Sequence, residues 1–436
     1  MSAIGIMTDT ANLLGAYYLA AAFINGLAAW RAWATRRRAS AAVWVLAAGA
    51  FAAAAAGSFR GHPPGLPEWF KSAVDAVAGP VTLSLASLAF LAMLYAGRSW
   101  LVRPQMAMVG FDLALAALGC SLTDPEFAAV VLKPDNVAIV AMIFLLGFFL
   151  WLGTAQAVEN DRRLARGLSP REKEFSETTL VWPDLVYIEL IAMVVGTAVL
   201  VAWALVLPAP LEQPANPVIT PNPAKAPWYF LGLQELLVYF DPWLAGVVVP
   251  TLIIFGLAVI PYLDPNPKGS GYYTIAERKF AWAVFLFGFV QLWILWIVIG
   301  TFFRGPNWSF FGPYEPRDPH RVAAAQNIRL CEYFWVFLLG REVPLVEPGD
   351  GSFRRTATLL LREWVGIAGL GVYFVGLPAL LGRTLLRDFR RRMGRWRYYV
   401  MVLLLLMMLA LPLKMFLRWS ADVSYIASFP EWQLSF

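Results

Sequence analysis

Histidine and cysteine are both scarce in this chain of 436 residues, which has two of each. Cys120 and Cys331 are too few for a zinc site or for a C-x-x-C-H haem attachment motif. His62 and His320 both fall in predicted loops, so haem ligation by two histidines inside helices is excluded for this chain alone. We therefore predict no metal ligands in this chain.

Charged residues are few as well, and they make up 15% of the chain, while apolar residues make up 59%. A soluble domain has about 25% charged and about 45–50% apolar residues. The polar surface is too small to cover one soluble core. An aromatic content of 15% excludes a disordered chain. The class that remains is an all-α, polytopic membrane protein.

Ten apolar stretches have roughly the length of about 20 residues that a membrane crossing needs. They lie at 11–33, 41–58, 81–97, 107–121, 137–158, 183–207, 244–263, 276–303, 357–381 and 396–418. The segment 322–340 is also apolar, but it carries Arg329 and Glu332 in its middle. We predict an interfacial helix there and not an eleventh crossing.

Basic residues cluster in alternate loops. Seven arginines lie between 383 and 397, and Arg36, Arg37 and Arg38 follow the first span. Short loops rich in Arg and Lys face the cytoplasm. We therefore expect a multi-pass protein of the cytoplasmic membrane with both termini on the outer, periplasmic side. The net charge is +6, and many of the basic residues lie in loops that would face the anionic lipid of the cytoplasmic leaflet. We therefore predict membrane lipid, and no nucleic acid, as a partner.

Composition divides the chain into five regions. The first is a five-helix membrane region with no resemblance that we can name, and a charged cytoplasmic linker follows it. The third region carries the motifs that are quoted below. The fourth is an outer-face loop that contains the interfacial helix. The fifth consists of the last two crossings and an outer tail. Their bounds are 1–158, 159–182, 183–303, 304–356 and 357–436.

Asp112 and Glu189 are acidic residues that fall inside predicted spans. Ionisable groups at membrane depth are costly and usually have a role. One interpretation is a carboxyl group that faces a partner helix or a water pocket. The other is a proton path or a contact to a quinone head.

The loop 208–243 is the richest segment. It has seven prolines between Pro208 and Pro227, which make the chain stiff and extended. The following WYFLGLQELLVYF is too short to cross, and we predict a short amphipathic helix on the outer membrane surface. Trp228, Leu231 and Glu235 are spaced to share one face of it. Such a platform suits a flat, lipid-soluble ligand, and the alternative is an interfacial aromatic anchor.

Several motifs in order carry a family resemblance. WPDLVYIELIAMVVGTA (182–198), EQPANPVITP (212–221), APWY (226–229), IPYLDPNP and ERKFAWAVFLFGF follow one another within residues 182–303. This stretch resembles the C-terminal part of cytochrome b, and most closely the separate subunit IV of the cytochrome bf complex.

The resemblance implies a membrane subunit of a quinol–cytochrome c oxidoreductase that forms part of the outer-face quinol-oxidation site. The substrate would be menaquinol or ubiquinol, contacted by Pro227, Trp228, Tyr229 and Leu231. The implied partners are a haem-bearing subunit like the N-terminal part of cytochrome b, a Rieske iron–sulfur protein and a c-type cytochrome. Haem b and the iron–sulfur cluster would be bound by those partners. The chain would not be an enzyme alone.

One position departs from the family. The motif glutamate, the proton acceptor of the family, aligns with Pro227, which cannot take a proton. We expect Glu235 to take over as the catalytic acceptor, with Asp241 as the reserve and Glu189 on a proton path. The alternative is that Glu235 pairs with Lys225 near the surface.

Two other functions stay open. One is the quinone-binding membrane anchor of another respiratory oxidoreductase, and the other is a secondary transporter. The anchor does not account for the motif order in 182–303. A transporter tends to have inverted repeats and broken helices, and neither is evident in the sequence.

Overall fold

The structure, a computed structural model, describes residues 3–174, 179–206, 214–266, 272–322, 326–347, 349–432 and 434–436. Most of these residues are helical, and the strands are only two or three residues long. The predicted all-α class is confirmed. Parts of the charged linker, of the proline-rich loop and of the IPYLDPNP turn, namely 175–178, 207–213 and 267–271, lie outside the described residues.

The helices follow one another as apolar rods joined by short turns. They are α1 (Ala3–Ala34), α2 (Arg38–Phe59), α3 (Glu68–Val77), α4 (Pro80–Leu101), α5 (Pro104–Ser121), α6 (Pro125–Val131), α7 (Pro134–Ala165), α8 (Arg171–Glu174), α9 (Val186–Val206), α10 (Leu231–Leu236), α11 (Val249–Leu263), α12 (Lys279–Leu286), α13 (Leu295–Val298), α14 (Leu330–Glu332), α15 (Ser352–Arg362), α16 (Trp364–Gly371), α17 (Leu377–Leu381), α18 (Arg387–Met393) and α19 (Arg395–Ala421).

Short π-helical and 3₁₀-helical segments adjoin some of these α-helices. Segments with π winding are Val181–Leu185, Leu244–Val248, Phe287–Ile294, Ile299–Phe303, Tyr333–Leu338 and Val372–Gly376, and 3₁₀ turns are Trp228–Phe230, Pro306–Trp308 and Pro430–Trp432. The strands are β1 (Ile328–Arg329), β2 (Val423–Tyr425), β3 (Ser428–Phe429) and β4 (Leu434–Ser435). β1 pairs with β2 in parallel, and β3 pairs with β4 antiparallel.

Within the described residues, ten helices are long and apolar enough to cross a membrane, as the sequence predicted. Their bounds are Thr10–Ala34, Arg38–Phe59, Pro80–Leu101, Pro104–Ser121, Pro134–Ala165, Val181–Val206, Leu244–Leu263, Lys279–Phe303, Trp364–Leu381 and Arg395–Ala421. Prolines at the first turns of α4, α5 and α7 suit these helix starts, because the missing N–H is unpaired there in any case.

Two boundaries differ from the prediction. The ninth span begins at Trp364 and not at 357, because α15 is a separate amphipathic helix that ends at Arg362. Of the interfacial helix predicted at 322–340, residues 323–325 lie outside the described residues, residues 326–329 are not helical, and the helix covers Leu330–Leu338. In both cases the predicted segment continues through a charged residue at which the structure begins or ends a helix, Arg329 before α14 and Glu363 between α15 and α16.

The described chain forms two compact units. The first contains Met1–Val74, Ala92–Ala224 and Ser270–Trp282, and the second contains Asp75–Leu91, Lys225–Gly269 and Ala283–Phe436. In the first unit, α1 and α2 pack through Tyr18 and Phe51. The core of the second unit joins α10, the 279–303 span and α19.

Residues 422–436 fold back onto the second unit, and we call them the C-terminal tail. Arg362 is 3% exposed, and it donates hydrogen bonds to both carboxylate oxygens of Glu431, at 2.7 and 3.0 Å, and to the Ser428 carbonyl at 2.9 Å. Glu363 accepts a hydrogen bond from the Ser428 amide at 3.1 Å. The hydrogen bonds from Arg362 hold the pKa of Glu431 below its usual value. A buried charged pair thus fixes the tail.

Cys331 in α14 is 1% exposed and lies beside Glu363. Burial, reinforced by the neighbouring Glu363 carboxylate, raises the pKa of the Cys331 thiol to about 12. A thiol of this kind is inert at neutral pH, since the thiolate is the reactive form.

Candidate functional site

The candidate site is built on a tight turn that leads into the short helix α10. Pro227 precedes the 3₁₀ turn, and the Phe230 amide donates to the Pro227 carbonyl at 2.8 Å. Proline fixes its own backbone angle and needs no amide partner, which suits a helix start. The Ala226 amide donates to Gln234 Oε1 at 2.9 Å, so the end of the proline-rich loop is fastened to α10.

Three successive aromatic side chains form an exposed surface at this turn, and we call it the aromatic surface. Trp228, Tyr229 and Phe230 are 38%, 47% and 50% exposed. The Trp228 and Tyr229 rings meet edge to face with centroids 5.6 Å apart, and the Tyr229 and Phe230 centroids are 4.7 Å apart. Neighbouring rings therefore pack against each other, and their exposed parts form one continuous apolar surface.

The opposite side of α10 is buried. Leu231 and Leu236 are 3% and 2% exposed, and Leu236 belongs to a core with Trp296 and Ile299. Gly300 permits the close approach, because a Cβ at this position would lie 3.2 Å from the Leu231 Cβ. The aromatic surface therefore stands on a packed base.

Glu235 is buried in an ion pair. Arg304 Nε donates to Glu235 Oε2 at 2.8 Å, and Arg304 Nη2 donates to Glu235 Oε1 at 2.5 Å. Trp308 Nε1 donates to the same Oε2 at 3.2 Å, and Trp308 has a φ of 55°, which is unusual for a bulky residue. A bidentate pair of this type is both strong and geometrically specific.

Two further hydrogen bonds lie at the end of the 279–303 span, next to α10. The Arg304 Nη1 donates to the Trp308 carbonyl at 2.8 Å, which closes the turn that follows residue 303. Lys225 Nζ donates to the Thr301 carbonyl at 2.9 Å. The alternative pairing of Glu235 with Lys225 is therefore not the one that the structure has.

The predicted site residues differ in their surroundings. Pro227, Trp228, Tyr229, Leu231 and Glu235 come together in this turn and helix. Trp228 and Tyr229 are exposed, whereas Leu231 and Glu235 are buried, so the expected shared face does not present Glu235 beside the Trp228 ring. The Glu235 carboxylate is instead enclosed by Arg304 and Trp308.

Asp241 and Glu189 are not part of this turn and helix. Asp241 follows α10 and is half-buried, and its Oδ1 accepts a hydrogen bond from the Trp243 amide at 3.1 Å. Glu189 belongs to α9 of the first unit and is exposed. Their assignment to a proton path stays a prediction.

Arg304 and Trp308 are the residues that sequence reasoning missed. By composition, Arg304 is the first residue of the outer-face loop region 304–356. The signal was its position, directly after the last apolar residue of the 279–303 span, where a buried cation requires a carboxylate.

The positions of the two histidines do not fit a haem that is held by two histidines inside the spans. His62 and His320 lie outside all ten candidate spans. Across the described ranges, no three His, Cys, Asp or Glu side chains come close enough to hold a metal ion.

Part of the chain matches a known protein family. Residues 214–302 match the family model of the cytochrome b(C-terminal)/b6/petD. The matched segment, about a fifth of the chain, contains the aromatic surface, α10 and nearly all of the span that α10 packs against. The match supports a cytochrome b-type subunit of a bc- or b6f-type complex. No solved structure matches the chain.

Proposed function

We propose that this chain is a membrane subunit of a quinol–cytochrome c oxidoreductase and forms one wall of its quinol-oxidation site. The observation that carries this proposal is the position of the aromatic surface. It lies inside the segment that matches the family, and the buried helix α10 holds it in place.

The aromatic surface would bind the quinol ring. Trp228 and Tyr229 offer ring faces and edges that stack on a flat ligand, while Pro227 and Leu231 fix the backbone beneath them. The Tyr229 hydroxyl and the Trp228 indole N–H are the polar groups of these rings that a quinol hydroxyl could reach.

Two carboxylates compete for the quinol proton. Glu235 is the acceptor that the sequence predicts, but its two oxygens already accept hydrogen bonds from Arg304 and Trp308. Asp241 has only the Trp243 amide on Oδ1 among the described residues. We therefore favour Asp241 as the group that takes the proton, and we assign Glu235 to positioning α10.

The metals belong to other subunits in this proposal. A quinol that is oxidised here would give one electron to a Rieske iron–sulfur protein and the other to haem b on a cytochrome b N-terminal-type subunit. A c-type cytochrome would accept electrons from the Rieske protein. The site would face the outer side of the cytoplasmic membrane, with both termini on that side, as the distribution of arginines predicts.

The first test is purification of the tagged chain from its native membranes in a mild detergent. We expect b-type haem in the optical spectrum and a Rieske signal in the electron paramagnetic resonance spectrum to accompany it. A chain that migrates alone and without haem would overturn the proposal and favour a transporter. An anchor of another oxidoreductase would bring metal centres of a different type.

The second test compares two tryptophan variants of that complex. Trp228→Ala should lower quinol–cytochrome c reductase activity at least tenfold, about 1.4 kcal/mol of transition-state stabilisation, and leave the haem and iron–sulfur content unchanged. Trp69→Ala is the matched control, because Trp69 is an exposed tryptophan on the short helix α3, outside the site. Equal activity of both variants would remove the aromatic surface from the reaction.

A further inference from the structure

The helix α15 has two long sides of different character, and the C-terminal tail covers one of them. Leu359 and Arg362 lie three residues apart and are 0% and 3% exposed. Leu359 packs in a core with Ala427 and Phe429 of the tail, and Arg362 donates a hydrogen bond to Glu431 at 2.7 Å. The surroundings of this side are therefore protein.

The other side of α15 is apolar and exposed, and we call it the α15 stripe. Phe353, Ala357, Leu360 and Leu361 are spaced at i, i+4, i+7 and i+8, which places them together on one side of an α-helix. Phe353, Leu360 and Leu361 are 89%, 47% and 54% exposed. A helix with an apolar stripe on one side and basic residues on the other is typical of an element in the membrane interface.

The ninth span by itself accounts for the thickness of the bilayer. It covers Trp364–Leu381, and its 18 residues correspond to about 27 Å at a rise of about 1.5 Å per residue. The hydrocarbon core of a bilayer is about 30 Å thick. The 11 residues of α15 would add about 16 Å if they continued the span in a straight line. Either α15 lies along the membrane surface or it projects from that surface into water.

The junction between α15 and the span favours the first of these arrangements. Glu363 has a φ of −97° and a ψ of 11°, whereas a helical ψ is about −42°, so the two helices do not form one straight rod. The Glu363 carboxylate accepts the Ser428 amide, and Trp335 Nε1 donates to the Arg362 carbonyl at 3.1 Å. Contacts on both sides of the break fix the change in direction.

A second group of exposed apolar side chains lies beside this junction. The Phe334 and Trp364 rings meet edge to face with centroids 5.0 Å apart. The residues that follow Phe334 in its helix include Val336, Phe337 and Leu338, which are 45%, 67% and 73% exposed. Tryptophan at the end of a span prefers the boundary between lipid and water. Both exposed groups are thus continuous with the side of the span that lipid covers.

An arginine borders the α15 stripe. Arg354 is largely exposed, and its Nε lies 3.3 Å from Asp350 Oδ1. A long arginine side chain at the edge of an apolar surface can extend its guanidinium group to the lipid phosphates while its stem stays on the apolar side. No charged residue falls within the stripe itself.

We propose that α15 is an in-plane membrane anchor. Phe353, Leu360 and Leu361 lie in the acyl-chain region of one leaflet, and Arg354 lies at the level of its phosphates. The C-terminal tail, bound to the opposite side of α15, is thereby held at a fixed depth just above the lipid. This inference does not depend on quinol oxidation, so it and the proposed function can fail separately.

The test measures the depth of nitroxide spin labels on α15. Phe353→Cys and Leu360→Cys are made in a Cys120→Ser background, and the full chain in its native complex is placed in phosphatidylcholine nanodiscs. Cys331 is 1% exposed, and the spectrum of the background protein is subtracted. Oxygen collides with labels in hydrocarbon and a neutral nickel chelate with labels in water. We expect an oxygen-to-nickel collision ratio at least about fivefold higher at both positions than at Ser352→Cys, an exposed position of the same helix outside the stripe.

Three other results would overturn the proposal. A high ratio at Leu360→Cys together with the control value at Phe353→Cys would mean that α15 projects from the membrane. The control value at both positions would place the α15 stripe in water. Low collision rates with both reagents at both positions would mean that a protein partner, and not lipid, covers the stripe.

Discussion

Glu235 and Arg304 form a buried bidentate ion pair between α10 and the end of the 279–303 span. Their side chains are 1% and 9% exposed. Each charge needs the other, because an unpaired ion in such a place would cost several kcal/mol. The pair therefore ties the aromatic surface to a membrane span, and it makes the position of Trp228 dependent on a residue 76 positions later in the chain.

Removing one partner of this pair should destabilise the protein. Glu235→Gln leaves the Arg304 charge buried without a counter-charge, and breaking a buried pair in this way costs about 3–5 kcal/mol. We expect a melting temperature several degrees lower in detergent and a loss of activity that follows the loss of folded protein. Glu342→Gln is the control, since Glu342 is exposed. If Glu235→Gln melted like the wild type and only turnover fell, Glu235 would be the proton acceptor.

Asp241→Asn tests the other carboxylate. Asn keeps the shape of the side chain and an oxygen for the Trp243 amide, so the melting temperature should stay within about 1–2 degrees of the wild type, as expected for a change below 0.5 kcal/mol. Turnover should fall at least tenfold, since general-base groups contribute about 10²–10⁴-fold. Wild-type turnover in this variant would exclude Asp241 as the acceptor.

Gly300 sets how closely α10 approaches the span. Gly300→Val should push Leu231 away, and we expect a lower apparent affinity for quinol with haem content retained. Overpacking of this kind costs about 1–3 kcal/mol. Gly246→Val is matched to it, because a Cβ at Gly246 meets nothing within 4 Å. Similar quinol affinities of the two variants would contradict the role given to the Leu231–Gly300 contact.

The C-terminal tail should detach in acid. The pKa of Glu431 is lower in the folded protein than in the unfolded chain, so its pairing with Arg362 contributes its full stability above about pH 4.5, near the usual value for glutamate. That stability is lost as the pH falls through the folded-state pKa. Hydrogen exchange in 422–436, corrected for intrinsic rates, should therefore rise below about pH 4.5. In Glu431→Gln it should already be fast at pH 7, while Glu342→Gln should behave as the wild type.

Labelling of the Cys331 thiol measures the detachment of the C-terminal tail by a second method. With Cys120→Ser as the background, N-ethylmaleimide should leave Cys331 unlabelled at pH 7.5 in the folded protein, because burial suppresses the thiolate. Adding Glu431→Gln should allow labelling, and so should denaturant. Rapid labelling of the folded Cys120→Ser protein would show that the surroundings of Cys331 are open.

The spans were predictable because a run of about 20 apolar residues has few other structures available to it. The short helix after Pro227 was predictable because the backbone angle that proline fixes suits the first turn of a helix, and this preference acts locally. Arg304 was not, because its partnership with Glu235 joins residues that are 69 positions apart. The start of the ninth span was missed for the same reason, since Arg362 ends α15 through contacts with residues 428 and 431. Long-range pairings of this type leave no periodic pattern in a sequence.

The parallel pairing of β1 with β2 joins residues 328–329 to residues 423–425, with two membrane spans between them. During synthesis, the segment around Cys331 must therefore wait for nearly a hundred further residues to emerge before its neighbours exist. Insertion of α16 and α19 into the bilayer comes first, and the final closure of this region is a late event in the biogenesis of the protein.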